Sequence, residues 1–158
     1  MKLKVAAAAI GLKKPLRYVT HFPVRWTEYV YDLLNVTLRN WRAAMAYFIS
    51  ERESNLEEKW LCYDRIHFLS FLTDILQLYK AFQKTFESDT VSILDVENRK
   101  QKLMERLENC ANEPVDGGWE QLFLSEVNDS NEGGPMFYGH NLWHSTDTSD
   151  NTTAIQHK

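Results

Sequence analysis

Arg25 and Trp26 stand side by side, with Arg17 a short way upstream, and together they are the residues in this chain best suited to grip something charged and flat. Guanidinium groups clasp phosphates in a bidentate fork, and an indole stacks on an unpaired base. The pair also precedes a predicted helix, whose first N–H groups favour an anion. The plainer alternative is that Trp26 packs beneath the helix start while Arg25 reaches solvent. Two residues alone leave both open.

Other reactive side chains assemble less well. His140 and His144 have the i, i+4 spacing of a metal pair, but the glutamate of a His-Glu-x-x-His motif is missing and the surrounding stretch is polar. Cys62 and His67 lie five apart, which sends them to different faces of a helix and argues against a shared metal. Asp64, Asp74, Asp89 and Asp95 are dispersed and read as helix caps or solvated faces. Asp74 is the most interesting acid because its helix is otherwise apolar, although Ser70 and Gln77 would place it in an ordinary polar stripe. Gly117-Gly118 has neither the spacing nor the preceding strand of a phosphate loop. No metal or other cofactor is expected.

Helices must position these groups. Pro15, Pro23 and the β-favouring Tyr18, Val19 and Thr20 make residues 15–26 extended. Thr27 is a plausible N-cap, and Val30, Leu33, Leu34, Leu38, Trp41, Met45 and Phe48 then form one apolar stripe. Ser54 and Glu57 have capping-box spacing, so a second helix should run from there to about Phe86. It is apolar around most of its circumference and should be covered on several sides. A third helix, capped by Thr90, extends to about Ala111 before Pro114, with a polar middle that marks it as a surface element. After the Asp116-Gly117-Gly118 turn, Trp119 to Val127 makes a short helix. The expectation is an all-α fold, a small bundle of three long helices. It divides into an N-terminal segment 1–26, a helical domain 27–127 and a polar, disordered tail 128–158.

Composition narrows the class further. Apolar residues make up 44% and charged residues 25% of the 158, which excludes wholesale disorder and collagen-like repeats. The two cysteines make neither a disulfide framework nor a zinc cage. No apolar run reaches the roughly 18 residues of a membrane span, so no membrane partner is expected. The apolar stretch Val5–Ile10 is shorter than the core of a secretory leader, about 7–15 residues, and reads as a short helix stopped by Gly11. An intracellular, reducing compartment follows, with both cysteines as thiols. Charge is uneven: residues 1–49 carry eight Lys/Arg against two acids, whereas the remainder carries ten against twenty. Such a division suits a nucleic-acid-facing end and an acidic end, although surface charges also segregate by chance.

The order of several short features resembles a known family. Lys14-Pro15-Leu16-Arg17 is followed by Thr20 and the Arg25-Trp26 step, then by Leu38-Arg39-Asn40-Trp41 and Met45-Ala46-Tyr47-Phe48. Phe71-Leu72-Thr73-Asp74-Ile75-Leu76, Phe82-Gln83-Lys84-Thr85-Phe86 and Gly117-Gly118-Trp119-Glu120 come next. Over roughly residues 12–127 this is similar to the hAT-superfamily transposases, in the form found in domesticated, transposase-derived zinc-finger proteins. In that family the Arg-Trp step opens an all-helical insertion within an RNase H-like catalytic core. The resemblance implies that Arg25 and Trp26 act at a DNA end, with the indole stacking on a displaced base, and it implies a nuclear setting. The family's first two catalytic aspartates lie upstream of that step and its glutamate beyond the insertion, where this chain has only a polar tail. The usual N-terminal zinc finger has no counterpart either. Two-metal phosphoryl transfer needs converging carboxylates. The expectation is therefore a non-catalytic fragment, contacting DNA weakly through Arg17, Arg25 and Trp26 or associating with protein, itself included, through helices 27–111. The competing expectation is an unrelated helical protein–protein interaction module whose partners bind the acidic half.

Overall fold

A computed structural model describes residues 26–87, 92–130 and 134–145. These form a mainly helical fold with a small antiparallel sheet. The helices are α1 (Trp26–Arg39), α2 (Trp41–Glu51), α3 (Ser54–Trp60), α4 (Tyr63–Gln83), α5 (Ile93–Cys110) and α6 (Trp119–Glu126), with one 3-10 turn, Lys84–Glu87, after α4. The strands are β1 (Val127–Ser130), β2 (Gly134–Phe137) and β3 (His140–Asn141), in the order β1-β2-β3. The expected N-terminal short helix, the extended segment up to residue 25 and the Thr90 cap lie outside the described residues.

The three expected long helices are thus five, because the first and second are each split in two; the third is α5, and the short helix expected from Trp119 is α6. The first expected helix is interrupted at Asn40, yet the i→i−4 ladder continues through it, with Asn40 N–H donating to Val36 O at 3.0 Å and Ala44 N–H to Asn40 O at 2.9 Å. Thr27 is not the N-cap: it lies within α1, and its hydroxyl bonds Gln83. α2 ends on Arg52 in the left-handed region (φ 57°), a position that glycine normally fills. The Ser54–Glu57 capping box does not form, because Glu53 occupies the N-cap and its carbonyl accepts from Leu56 and Glu57. A capping box does form at Ser92 and Asp95, where it starts α5.

The second long helix breaks at Leu61–Cys62, and the cause is non-local. Cys62 is extended (ψ 115°) and bridges Trp143 in parallel. Tyr63 N–H donates to Trp143 O at 2.9 Å, and Trp143 N–H donates to Leu61 O at 3.1 Å. The Trp143 indole also donates to Glu58 O. The disordered tail expected from residue 128 is therefore corrected over 128–130 and 134–145, while residues 146–158 lie outside the described set. β2 and β3 meet at a two-residue turn, Tyr138-Gly139, with both φ values positive (47° and 82°), the geometry that matches strand twist.

The hairpin closes the core. Phe137 and Leu142 join Trp41, Met45, Ile66 and Phe123, with Phe48, Trp60 and Tyr63 packed around them. The Phe137 ring meets Trp41 edge-on at 4.8 Å and Phe123 at 5.1 Å. This knot covers the N-terminal end of α4. Further along, α4 packs against α1, α5 and α6. α1 runs antiparallel to it, since Thr27 meets Gln83 while Asp32 meets Lys80. No helix among the described residues is long and apolar enough to cross a membrane.

Candidate nucleic-acid interface

Of the three residues nominated for DNA contact, Arg17 and Arg25 lie outside the described residues, whereas Trp26 opens α1. Its side chain is 60% exposed, so it does not pack beneath the helix start. The turn that carries it is anchored. Thr27 Oγ1 donates to Gln83 Oε1 at 3.0 Å, and Gln83 Nε2 donates to Thr27 Oγ1 at 2.7 Å. One turn on, Lys80 Nζ reaches Asp32 at 2.8 Å and Glu28 at 3.5 Å, and sits 4.7 Å above the Tyr31 ring. Partial burial opposes the charge on Lys80, but the bond to Asp32 and the two carboxylate charges outweigh it and hold its pKa above the usual lysine value. A stacking residue needs both exposure and a rigid mount, and Trp26 has both.

The C-terminal end of α4 adds aromatic surface that the sequence stripe assigned to the core. Phe82 and Phe86 pack edge-to-face at 5.1 Å, and Phe86 is 56% exposed. Phe68 and Tyr79 are also exposed, so the expected all-round covering of this helix is incomplete. No local signal separates these rings from buried ones, because Phe86 keeps helical phase with Phe82 and Leu78.

The dispersed aspartates hold the fold together. Asp74 is 1% exposed, and its two oxygens accept from the backbone N–H groups of Trp119 (2.8 Å) and Glu120 (2.9 Å). It therefore caps the N-terminus of α6 from across the fold, one of the two roles the sequence offered for the dispersed aspartates, although on a helix other than its own. Burial pushes its carboxyl above the ordinary range, against the pull of those two N–H donors. Asp64 accepts from the Ser145 hydroxyl at 2.7 Å and from the Ser145 N–H, and these bonds with His144 lower its pKa to about 2. Ser145, His144 and Asp64 do not form a nucleophile relay, because the single hydroxyl proton of Ser145 goes to the carboxylate rather than to an imidazole. Asp95 belongs to the α5 capping box, and Asp89 lies outside the described residues.

The histidines and cysteines are similarly absorbed. His140 stacks edge-on against Trp41 at 5.7 Å, and His144 lies 3.4 Å from Asp64, so the two do not present a common site. His67 Nε2 lies 2.8 Å from Glu120, and Cys62 is buried at the start of α4. Burial, then the Asp74 and Glu120 charges, push the Cys110 thiol up and keep it protonated. Among the described residues no three His, Cys, Asp or Glu side chains converge to hold a metal ion.

Comparison of the chain with protein-family models, with curated proteins and with solved structures returns no match.

Proposed function

We propose that this chain is a non-catalytic fragment of a hAT-like, transposase-derived protein, a piece of the helical insertion that retains weak DNA contact. Trp26 supplies the stacking surface, and Arg17 and Arg25 supply the cations. The exposure of Trp26 at the head of an anchored helix carries this reading, because a tryptophan held out in water on a braced turn is suited to meet a flat partner. The structural employment of Asp64, Asp74 and Asp95 supports the non-catalytic part: each is committed to holding two segments of chain or to starting a helix.

Tryptophan fluorescence tests the reading. A DNA hairpin or single strand should quench or shift the emission, the change should vanish in Trp26→Phe, and binding should weaken as salt rises. Trp41, Trp60, Trp119 and Trp143 remain in that variant as internal references. A response that persists in Trp26→Phe would remove Trp26 from the interface. The second reading, a helical protein-interaction module, is favoured by Ile93 and Leu94, which are 87% and 74% exposed at the start of α5.

A further inference from the structure

The C-terminal part of α4 and the facing side of α5 enclose an open hollow of about 210 Å³. Leu78, Phe82 and Leu103 form its floor, and Arg99, Lys102 and Arg106 line it. Steps of three and four residues at about 100° each place these three cations within an arc of roughly 60°, spread along about 10 Å of axis. Glu97 and Glu108 fall on the opposite side of the same helix, and Glu105, on its flank, accepts from Gln101 Nε2 at 3.3 Å. Lys100, not a groove residue, takes Glu97 as its ion-pair partner. Asp95 feels the Arg99 charge, but its Oδ2 is engaged by the Ser92 hydroxyl and N–H. Among the described residues no carboxylate pairs with Arg99, Lys102 or Arg106. Like charges one turn apart destabilise a helix, and a bound polyanion would relieve them.

We infer that this groove binds single-stranded nucleic acid, with phosphates along the Arg99–Lys102–Arg106 rail and a base against the Phe82 floor. The inference takes its class of partner from the nucleic-acid reading above and its site from the groove's own residues. A duplex keeps its bases inside and could use only the rail, leaving the apolar floor empty. An extended acidic peptide would find no open strand edge, since both walls are helices with internally bonded backbones. The paired arginines favour the forked oxygens of a phosphodiester, and an aromatic floor beneath a cationic rail is the arrangement that accepts any base in turn. The rail's three cations can meet up to three phosphates of the strand. The contact should stop at Arg106, because the adjoining hollow of about 360 Å³ leads to Glu113 and Asp116, which repel phosphate.

The test uses the full chain and a fluorescently labelled oligothymidine, read by anisotropy across a salt series. Charge neutralisation by R99Q/K102Q/R106Q should weaken binding at least tenfold at low salt and reduce the salt slope by about 2, at roughly 0.7 per lost phosphate contact. R99E/K102E/R106E should abolish binding, with circular dichroism confirming that both variants fold. A strand bearing 5-iodouracil should crosslink to Phe82 in the unmodified protein, a readout independent of any substitution. Unchanged affinity and slope in the Gln variant would overturn the inference, as would equal binding by polyglutamate. If Trp26→Ala abolishes binding while the Gln variant does not, the groove falls and the Trp26 interface survives; the reverse result leaves the groove standing alone.

Discussion

Replacing Asp74 with alanine should destabilise the fold by about 2–4 kcal/mol. The carboxylate accepts two backbone N–H groups at 2.8 and 2.9 Å in a site closed to water. Hydrogen bonds to a charged group contribute about 1.5–3 kcal/mol each, and loss of an N-cap alone costs about 0.5–2 kcal/mol. Burial of the charge, the same effect that raises the Asp74 pKa, subtracts from the gross gain. For a chain of this size the net loss should lower Tm by about 5–15 °C, read by circular dichroism. Asp74→Asn is the stricter control, because its amide nitrogen faces an N–H donor and only one acceptor survives, so most of the loss should remain. Gly118 provides a coupled check. A Cβ there would sit 2.5 Å from Asp74 Oδ2 and 2.8 Å from Val115 O, although its φ of −77° suits any residue. Gly118→Ala should therefore destabilise the wild type by about 1–3 kcal/mol and the Asp74→Ala background by less. The sign with pH follows from the raised pKa. The folded state holds the Asp74 proton more tightly than the unfolded chain, so a proton-linked increment to stability is full below pH 3.8 and is lost as pH rises through the folded pKa, while the capping bonds to the carboxylate persist above it. The stability gap between wild type and Asp74→Asn should narrow over that window. An Asp74→Ala variant within about 0.5 kcal/mol of wild type would refute the capping role.

Asp64 behaves in the opposite sense. Its pKa of about 2 against an ordinary 3.8 means that docking of the Ser145 segment is favoured above pH 3.8 and released as pH falls through 2; a carboxyl-carbon NMR titration should find that value, and Ser145→Ala should return it toward 3.8. Phe137→Ala should cost about 3–5 kcal/mol in urea unfolding, because the ring is buried between Trp41 and Phe123; a change under about 1 kcal/mol would mean that the hairpin is not part of the core.

The helices were legible where a signal was local. The helix through Leu103 to about residue 111 and the short helix from Trp119 both follow from apolar phase and nearby breakers. Their boundaries were less legible. Ser54 and Glu57 carry a capping-box spacing that Glu53 displaces, whereas Ser92 and Asp95 form the box with an aspartate at the position usually read for glutamate. The break at Cys62 was invisible because the apolar phase runs through it and its cause, Trp143, lies about eighty residues away. The same pairing explains the misread tail: its composition is polar, but Phe137, Leu142 and Trp143 are enough to fasten it. Asp74 stood out correctly as an acid in an apolar helix, yet its partners begin a helix that no short-range pattern links to it. The groove cations were counted by sign within an acidic half, and helical phase on α5 alone sorts them onto one side.

These placements divide the molecule along α4. Around Tyr63 and Ile66 the chain is knotted by Trp41, Phe123 and Phe137, and halfway along Asp74 ties in α6. Beyond Leu78 the helix carries the open cationic hollow on one side and receives α1, with Trp26 at its head, on another. Side chains that hold the fold are therefore distinct from side chains that face outward. The Trp26, Arg99, Lys102 and Arg106 side chains contribute nothing to the aromatic knot, so removing their charge or ring should leave cooperative unfolding intact. Because Trp26 and the groove cations lie outside that knot, this surface can be altered without loosening what supports it. The negative net charge does not oppose this use, because the field that a strand meets along the groove within one Debye length, about 10 Å at 0.1 M salt, is dominated by the rail, and the acids of the turn beyond Arg106 mark where the contact ends.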